Sequence, residues 1–149
     1  MFRLPLKAER WFSNIKHHFS FEFDMYYYCV LAGLVKGVKQ LLPSSDTKEL
    51  IRSFPQDYRS ESKIIVAYFL TKELEKQGIS LNDRAAVHSL VKRYIDSESL
   101  NAILSEEGMR ELNNYANGGI EVLENEFGHK PENIETFLLR FSKFISKSA

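Results

Sequence analysis

The stretch that decides the fold is Phe2-Arg3-Leu4-Pro5-Leu6, followed by an amphipathic run over residues 7–19 and an apolar run over residues 25–42. Apolar side chains alternate in part over the first five positions, as they do in a short strand. Pro5 removes one backbone donor, so an extended arm or an edge strand is expected rather than a central strand. The stretch therefore predicts a short extended piece followed by two helices.

Helical spacing is clear in both runs. One face of the first helix, over residues 7–19, carries Ala8, Trp11, Phe12, Ile15 and Phe19. The second helix is expected to begin with Asp24 as its N-cap and to end before Pro43. Gly33 and Gly37 stand one turn apart on it, and two missing side chains on one face let another helix approach closely. We therefore expect this helix to be the most buried element.

The remaining residues read as further helices. The expected segments are a short helix from Asp46 through Phe54, a helix from Ser60 or Ser62 to Gly78, one starting after Asn82, a short one over 97–104, one from Ser105 to Phe127, and a last one with Pro131 in its first turn. A kink or hinge is expected at Asn117-Gly118-Gly119. The sequence predicts an all-α fold: a single compact domain, residues 1–149, of about six or seven helices with a short N-terminal extended arm, in which residues 1–43 form a strand-helix-helix segment and residues 44–149 a helical remainder.

Length and composition favour a soluble cytoplasmic domain. The chain has 149 residues, of which 44% are apolar, enough for a core that needs no disulfide. Its one cysteine, Cys29, lies inside an apolar run and is expected to be a small core residue in a reducing compartment. The longest apolar run, residues 25–35, is far shorter than the ~20 residues that cross a membrane.

Charge is unevenly distributed although the formal net charge is zero. Residues 1–40 carry six basic and three acidic side chains, residues 98–135 carry nine acids and two bases, and residues 136–149 carry Arg140, Lys143 and Lys147 with no acid. This polarity suits head-to-tail assembly, or a chain with one face for an anion and another for a basic partner. Solvated helix faces explain it equally well.

Residue patterns that carry chemistry are scarce. The four histidines, at positions 17, 18, 88 and 129, form no metal-ligand spacing, and no phosphate-binding glycine loop occurs. We therefore expect no catalytic residue, no metal and no cofactor. Asp57 with Glu61 and Lys63 superficially matches a magnesium-dependent nuclease set, but that set belongs on a strand, and here the pair opens a helix.

An aromatic cluster precedes and enters the second helix, at Phe19, Phe21, Phe23, Tyr26, Tyr27 and Tyr28. Exposed rings could stack on nucleic-acid bases. The alternating spacing favours a role in the core and in an interface instead, with Tyr27 more exposed than Tyr28.

The first quarter of the chain resembles a ribbon-helix-helix unit, and more specifically the small DndE-type subunit of bacterial DNA phosphorothioation systems. The resemblance rests on Leu4 and Leu6, on Trp11 and Ile15 with Lys16 after them, and on the run over residues 28–34. Pro5, the absence of a basic residue within 28–35, and residues 44–149 depart from it. It implies self-assembly and contact with the DNA backbone through Arg3, Lys7, Arg10, Lys16, Lys36 and Lys39.

Three functions are consistent with the sequence. The leading one is a non-enzymatic subunit of a bacterial multi-protein complex, associated with double-stranded DNA in defence or DNA modification, whose basic N-terminal surface contacts DNA phosphates or an acidic partner. The alternative is a protein–protein adaptor or homo-oligomeric scaffold without nucleic-acid binding, whose interface contains Tyr27, Gly33 and Gly37. The third is a small magnesium-dependent nuclease or hydrolase.

Overall fold

The predicted all-α class is confirmed by the computed structural model, which describes residues 1–41, 43–98 and 103–148. This part of the chain contains six α-helices and one two-stranded sheet, together with three short 3-10 turns. The elements are β1 (Arg3–Pro5), α1 (Leu6–Trp11), α2 (Phe23–Lys36), β2 (Thr47–Glu49), α3 (Arg59–Lys76), α4 (Arg84–Tyr94), α5 (Glu106–Phe127) and α6 (Ile134–Ser148).

The chain divides into two compact units. The middle unit contains residues 1–2 and 51–112, and so holds α3, α4 and the start of α5. The terminal unit contains residues 3–50 and 113–149, and so holds both strands, α1, α2, α6 and the rest of α5. The organisation into one domain with a segment at 1–43 and a remainder at 44–149 stays a prediction.

The expected extended arm is an edge strand. β1 pairs antiparallel with β2, with Arg3 opposite Glu49 and Pro5 opposite Thr47. The short helix expected from Asp46 through Phe54 was therefore wrong. The Thr47 hydroxyl donates to the carbonyl of Ser44 at 2.8 Å, and the backbone of the following residues pairs with β1 instead of with itself.

The first helix is shorter than the apolar pattern predicts. α1 ends at Trp11, and the region predicted to be helical up to Phe19 contains turns and a 3-10 turn at Lys16–His18. Ser13 and Asn14 follow the helix end, and short polar side chains of this kind favour turns over a continued helix. The predicted burial of Ala8, Trp11, Phe12 and Ile15 is nevertheless confirmed.

The second predicted helix begins and ends earlier than expected. α2 starts at Phe23, so Asp24 lies in its first turn instead of at the N-cap, and its Oδ2 accepts a hydrogen bond from the amide of Phe21 at 3.2 Å. The helix ends at Lys36 because Gly37 adopts a left-handed conformation with φ of 66°. Gly37 is thus a helix stop, and the prediction that the helix continues to Leu42 was wrong.

Helix α5 is unbroken at Asn117-Gly118-Gly119, where we expected a kink or hinge. Gly119 allows a close approach to α2, and Gly118 allows one to the backbone of Val38, just after that helix. A methyl group added at Gly119 would overlap the carbonyl oxygen of Cys29, and one added at Gly33 would overlap the carbonyl oxygen of Tyr115. The predicted packing role of Gly33 is therefore confirmed, and it is met within the terminal unit.

The helices expected after Ser60 and Asn82 both form, but neither has the predicted N-cap, and Tyr58 precedes α3 without a side-chain cap. The expected helix after Ser60 begins at Arg59, and Gly78 takes the left-handed conformation that follows it. The cap of α4 is Asp83 rather than Asn82, because the Asp83 carboxylate accepts from the amide of Ala86. The predicted short helix over 97–104 falls partly on residues 99–102, which lie outside the described residues.

Of the last two predicted helix starts, the one at Ser105 is confirmed, and the one that placed Pro131 in the first turn was wrong. The Ser105 hydroxyl accepts from the amide of Gly108 at 3.0 Å, which confirms the predicted start of α5. α6 begins at Ile134, after Pro131, because the Asn133 side chain accepts from the amide of Thr136 at 3.0 Å.

Candidate nucleic-acid interface

Three of the six cations predicted to contact DNA are paired with carboxylates. The Arg3 guanidinium lies 3.1 Å from Glu49, and the Lys16 ammonium lies 3.6 Å from Glu9. The Lys7 ammonium lies 2.8 Å from Glu124 and 3.9 Å from Glu121. All these groups are partly exposed, so each pair contributes little to stability, but each pair also presents little net charge to a distant phosphate.

The neighbourhood of Lys16 is further balanced by a second lysine. Lys48 lies 2.6 Å from Glu22 and 3.7 Å from Glu9. The hydrogen bond with Glu22 is the main reason why the pKa of Lys48 is raised. These groups form a mixed surface of both signs around the end of the 3-10 turn, and not the basic surface that the sequence predicted.

The other three predicted cations lie elsewhere in the terminal unit. Arg10 is exposed on α1. Lys39 lies over the ring of Tyr115, with 5.5 Å between its ammonium and the ring centroid. Lys36, the last residue of α2, lies over the ring of Phe144 of α6 at 5.6 Å. The structure therefore does not bring the six cations into one surface, and it places Lys36 against α6.

Helix α6 carries the basic row that Lys36 joins. Arg140, Lys143 and Lys147 recur at intervals of three and four residues, which places them on one side of the helix. The neighbouring side buries Phe137, Phe141 and Phe144. Among the described residues no carboxylate lies within ion-pair distance of these cations. We call Lys36, Arg140, Lys143 and Lys147 the α6 basic face.

Two hollows lie along this helix and share Phe127 and Arg140. The upper hollow, at the start of α6, has a volume of about 230 Å³ and is lined by the two shared residues, Phe137, His129, Lys130 and Thr136 among others. The lower hollow has a volume of about 200 Å³, with Phe127 and Phe144 as apolar lining, Arg140, Lys143 and Lys147 as cations and Glu126 as the one acidic residue. Each hollow therefore combines aromatic rings with basic side chains.

Arg140 is held in a fixed position between the two hollows. Its guanidinium lies 4.5 Å from the ring centroid of Phe127, a cation–π distance, and it donates to the carbonyl oxygen of Glu126 at 3.3 Å. A guanidinium has five N–H donors, so these contacts orient the group and leave donors for a second partner.

The predicted interface of Tyr27, Gly33 and Gly37 is not formed as one helix face. Gly33 is buried against α5, and Gly37 lies past the end of α2 in a left-handed conformation. Tyr27 is half-buried, and its ring lies 5.5 Å from that of Tyr28. The glycine spacing therefore reflects packing within the terminal unit and a helix end.

Two members of the aromatic cluster are core residues, three are half-buried and one is exposed. Phe23 and Tyr26 are buried, and the Tyr26 hydroxyl donates to the Asn113 side chain at 2.8 Å. Tyr28 packs edge-to-face against Phe137 and Phe141 of α6. Phe21 is the exposed member of the set, with 44% of its surface accessible. This arrangement does not present a continuous ring platform for bases.

Cys29 is a core residue, which confirms its sequence interpretation. The side chain has no accessible surface, and burial together with the nearby Glu124 raises the pKa of the thiol strongly. A thiol in this state is a poor nucleophile at neutral pH. Cys29 therefore contributes packing and not chemistry.

Asp57, Glu61 and Lys63, the nuclease-like set, lie at the start of α3 and in the 3-10 turn before it. Across residues 1–41, 43–98 and 103–148, no group of three or more His, Cys, Asp or Glu side chains is placed to hold a metal ion. In the same ranges no helix is both long enough and apolar enough to cross a membrane.

Comparison with protein-family models, with curated proteins and with solved structures finds no match to the chain. The resemblance to DndE-type subunits therefore stays a prediction. Sequence reasoning missed α6 as a site. The signal was present in the last fourteen residues, where three bases at helical spacing occur without an acid.

Proposed function

We propose that the chain is a non-enzymatic subunit of a multi-protein complex and that it contacts the phosphates of double-stranded DNA through the α6 basic face. One observation carries this proposal. Lys36 lies against Phe144 of α6, which adds a cation from α2 to Arg140, Lys143 and Lys147. The proposal keeps the predicted class of function and moves the contact from the start of the chain to α6.

Electrostatics favour α6 over the first helices. A phosphate backbone is recognised by cations whose charge is not already neutralised, because binding then releases counterions from the DNA. Lys7 and Lys16 have carboxylate partners, whereas Lys143 and Lys147 have none among the described residues. From Arg140 to Lys147 the helix rises by about 10 Å, since each residue adds about 1.5 Å. That length spans a few phosphates, so the expected contact is small and sensitive to salt.

The experiment compares two matched double variants in a binding assay with a fluorescent duplex. Lys143→Gln with Lys147→Gln removes two unpaired charges, and Lys7→Gln with Lys16→Gln removes two paired ones. We expect the α6 variant to lose about tenfold in affinity at low salt and to flatten the salt dependence by nearly two released ions, because each phosphate contact contributes about 0.9 to the slope. The N-terminal variant should change both quantities much less.

The outcomes separate the hypotheses. Equal losses in both variants, or a larger loss in the N-terminal one, would return the contact to the surface that the sequence predicted. Failure of the unmodified chain to bind any duplex at low salt would refute DNA contact altogether. The assignment to bacterial defence or DNA modification has only the sequence resemblance behind it and needs a test of its own.

A second candidate function, a protein–protein adaptor or homo-oligomer, is favoured by the outer side of α6. Leu138 and Leu139 expose 42% and 64% of their surface there. Exposed leucines next to one another are typical of a contact with another protein chain. An oligomer seen by light scattering that persists at high salt and is lost in Leu139→Ser would select this function over DNA contact.

A further inference from the structure

We propose that the upper hollow at the start of α6 binds a phosphate monoester. The end of a nucleic-acid strand and a small free phosphate share this chemistry. If the ligand is the end of a nucleic-acid strand, this inference rests on the proposed function, because the rest of the strand would lie on the α6 basic face. Binding of a small free phosphate does not depend on the proposed function.

The hollow has the size and the donors that such a group needs. Its volume of about 230 Å³ is many times the roughly 15 Å³ that one water needs on the same measure, so the hollow has room for a phosphate group. Lys130, Arg140, Thr136 and His129 line it, and their side chains carry N–H or O–H groups that can donate to a phosphate. Glu132 is the one carboxylate in the lining, and it leaves the hollow with a net positive charge.

Arg140 makes this a positioned site rather than a patch of mobile cations. Its guanidinium is fixed by the Phe127 ring at 4.5 Å and by the Glu126 carbonyl at 3.3 Å. Charge-assisted bonds from a guanidinium to phosphate are among the strongest hydrogen bonds in proteins, and a fixed donor loses less side-chain entropy on binding. The Thr136 amide already donates to Asn133 at 3.0 Å, so the site depends on side chains and not on the free end of the helix.

The lower hollow adjoins the upper one, and its cations indicate where the rest of a bound strand would lie. Arg140 and Phe127 line both hollows, and Lys143 and Lys147 continue from there along α6. A terminal phosphate carries close to two negative charges, whereas each internal phosphate carries one. The end of a strand therefore fits the upper hollow, with its neighbouring phosphates on the cations of the lower one.

The test compares DNA duplexes of one sequence that differ only in a terminal phosphate at the 5′ or the 3′ end. We expect one phosphorylated form to bind the full chain about tenfold more tightly than the hydroxyl form, as one added charge-assisted contact would give. Lys130→Gln and Thr136→Val should remove this preference while hydroxyl-ended duplexes still bind. Lys147→Gln, the matched control, should weaken all forms by a similar factor and keep the preference.

A second measurement addresses the free-phosphate source. Inorganic phosphate is titrated into the isotope-labelled chain, and amide shifts at His129, Lys130 and Thr136 are followed by NMR, with sulfate at equal ionic strength as the reference. Saturable shifts confined to these residues would support the hollow as a phosphate site. If they occur and no duplex binds, the proposed function is refuted and the phosphate site stands. Duplexes that bind with no terminal preference, together with no specific shifts, would overturn the hollow and leave the proposed function standing.

Discussion

Helices α5 and α6 meet their surroundings in opposite ways within the terminal unit. α5 presents Gly119 to the backbone of α2, and its acids Glu121 and Glu124 pair with Lys7. α6 buries one aromatic side, and its cations face outward without carboxylate partners among the described residues. The comparison shows that Glu121 and Glu124 of α5 have a lysine partner inside the unit, whereas the cations of α6 have no carboxylate partner among the described residues.

The part of α5 that belongs to the middle unit also has a paired acid and a glycine in close contact with a backbone carbonyl. Glu107 accepts from Arg93 at 2.8 Å, and this hydrogen bond is the main cause of the lowered pKa of Glu107. Gly108 meets the carbonyl of Tyr94, where an added methyl group would overlap the oxygen. Close approach and paired charges thus recur along α5, and neither occurs on the outer side of α6.

Gly119→Ala should have the largest effect on stability. Alanine gains about 1 kcal/mol of helix propensity over glycine, but its methyl group would overlap the Cys29 carbonyl, a backbone atom that cannot turn aside. Overpacking against such a neighbour typically costs 1–3 kcal/mol and occasionally more, so after the gain in helix propensity we expect a net loss of up to about 2 kcal/mol in the free energy of unfolding. Urea denaturation followed by circular dichroism measures it.

Ser142→Ala on α6 is the matched control for that substitution. Ser142 is exposed, so the added helix propensity should leave stability unchanged or slightly raised. If Gly119→Ala were as well tolerated as this control, the close approach of α5 to α2 would not be a rigid contact, and the contrast between the two helices would fail.

Alkaline pH should weaken the side of α2 that contacts α5. Burial raises the pKa of Cys29 above its ordinary value near 9 and that of Tyr26 well above 10. Both groups stay protonated in the folded chain and ionise in the unfolded one, so their contribution is complete below pH 9 and is lost as the pH rises. Each ionising group lowers the free energy of unfolding by up to about 1.4 kcal/mol per pH unit.

Denaturation at a series of pH values between 7 and 11 measures this loss. Cys29→Ala should make the decline less steep between pH 9 and 10, where the thiol of the unfolded chain begins to ionise. A stability that stays flat up to pH 11 would show that neither group is buried in the protonated form, contrary to the packing between α2 and α5.

The sequence predicted the fold where a local pattern and the tertiary contacts agree. The apolar spacing of Phe137 and Phe141 gave α6, and the same kind of spacing gave α3 and α5. Errors arose where one residue type serves two roles. Gly37 was interpreted as a packing glycine because Gly33 is one. Gly37 instead has a positive φ, which depends on the path of the chain after the helix, and the spacing of glycines does not show that path.

The candidate site was harder to predict because charge in a sequence carries no information on pairing. Lys7 and Lys143 look alike as exposed lysines on helices, and only the fold shows that Lys7 faces Glu124 from a distant part of the chain. Pairing of β1 with β2 likewise brings Glu49 to Arg3 across 46 positions. Local rules give helices and their buried sides, whereas the free charges of a surface follow from contacts between segments far apart in sequence.

The smallest expected effect tests this difference between lysines directly. Lys7→Met removes the partner of Glu121 and Glu124, whereas Lys143→Met removes an unpaired cation while keeping a similar length of apolar chain. Because exposed ion pairs contribute about 0.2–1 kcal/mol, Lys7→Met should lower the free energy of unfolding by an amount in that range at low salt, and 1 M salt should abolish the loss. Lys143→Met should leave stability unchanged at both salt concentrations. Equal changes in the two variants would mean that the paired and unpaired lysines have the same surroundings in solution, and the distinction on which the α6 basic face rests would then be lost.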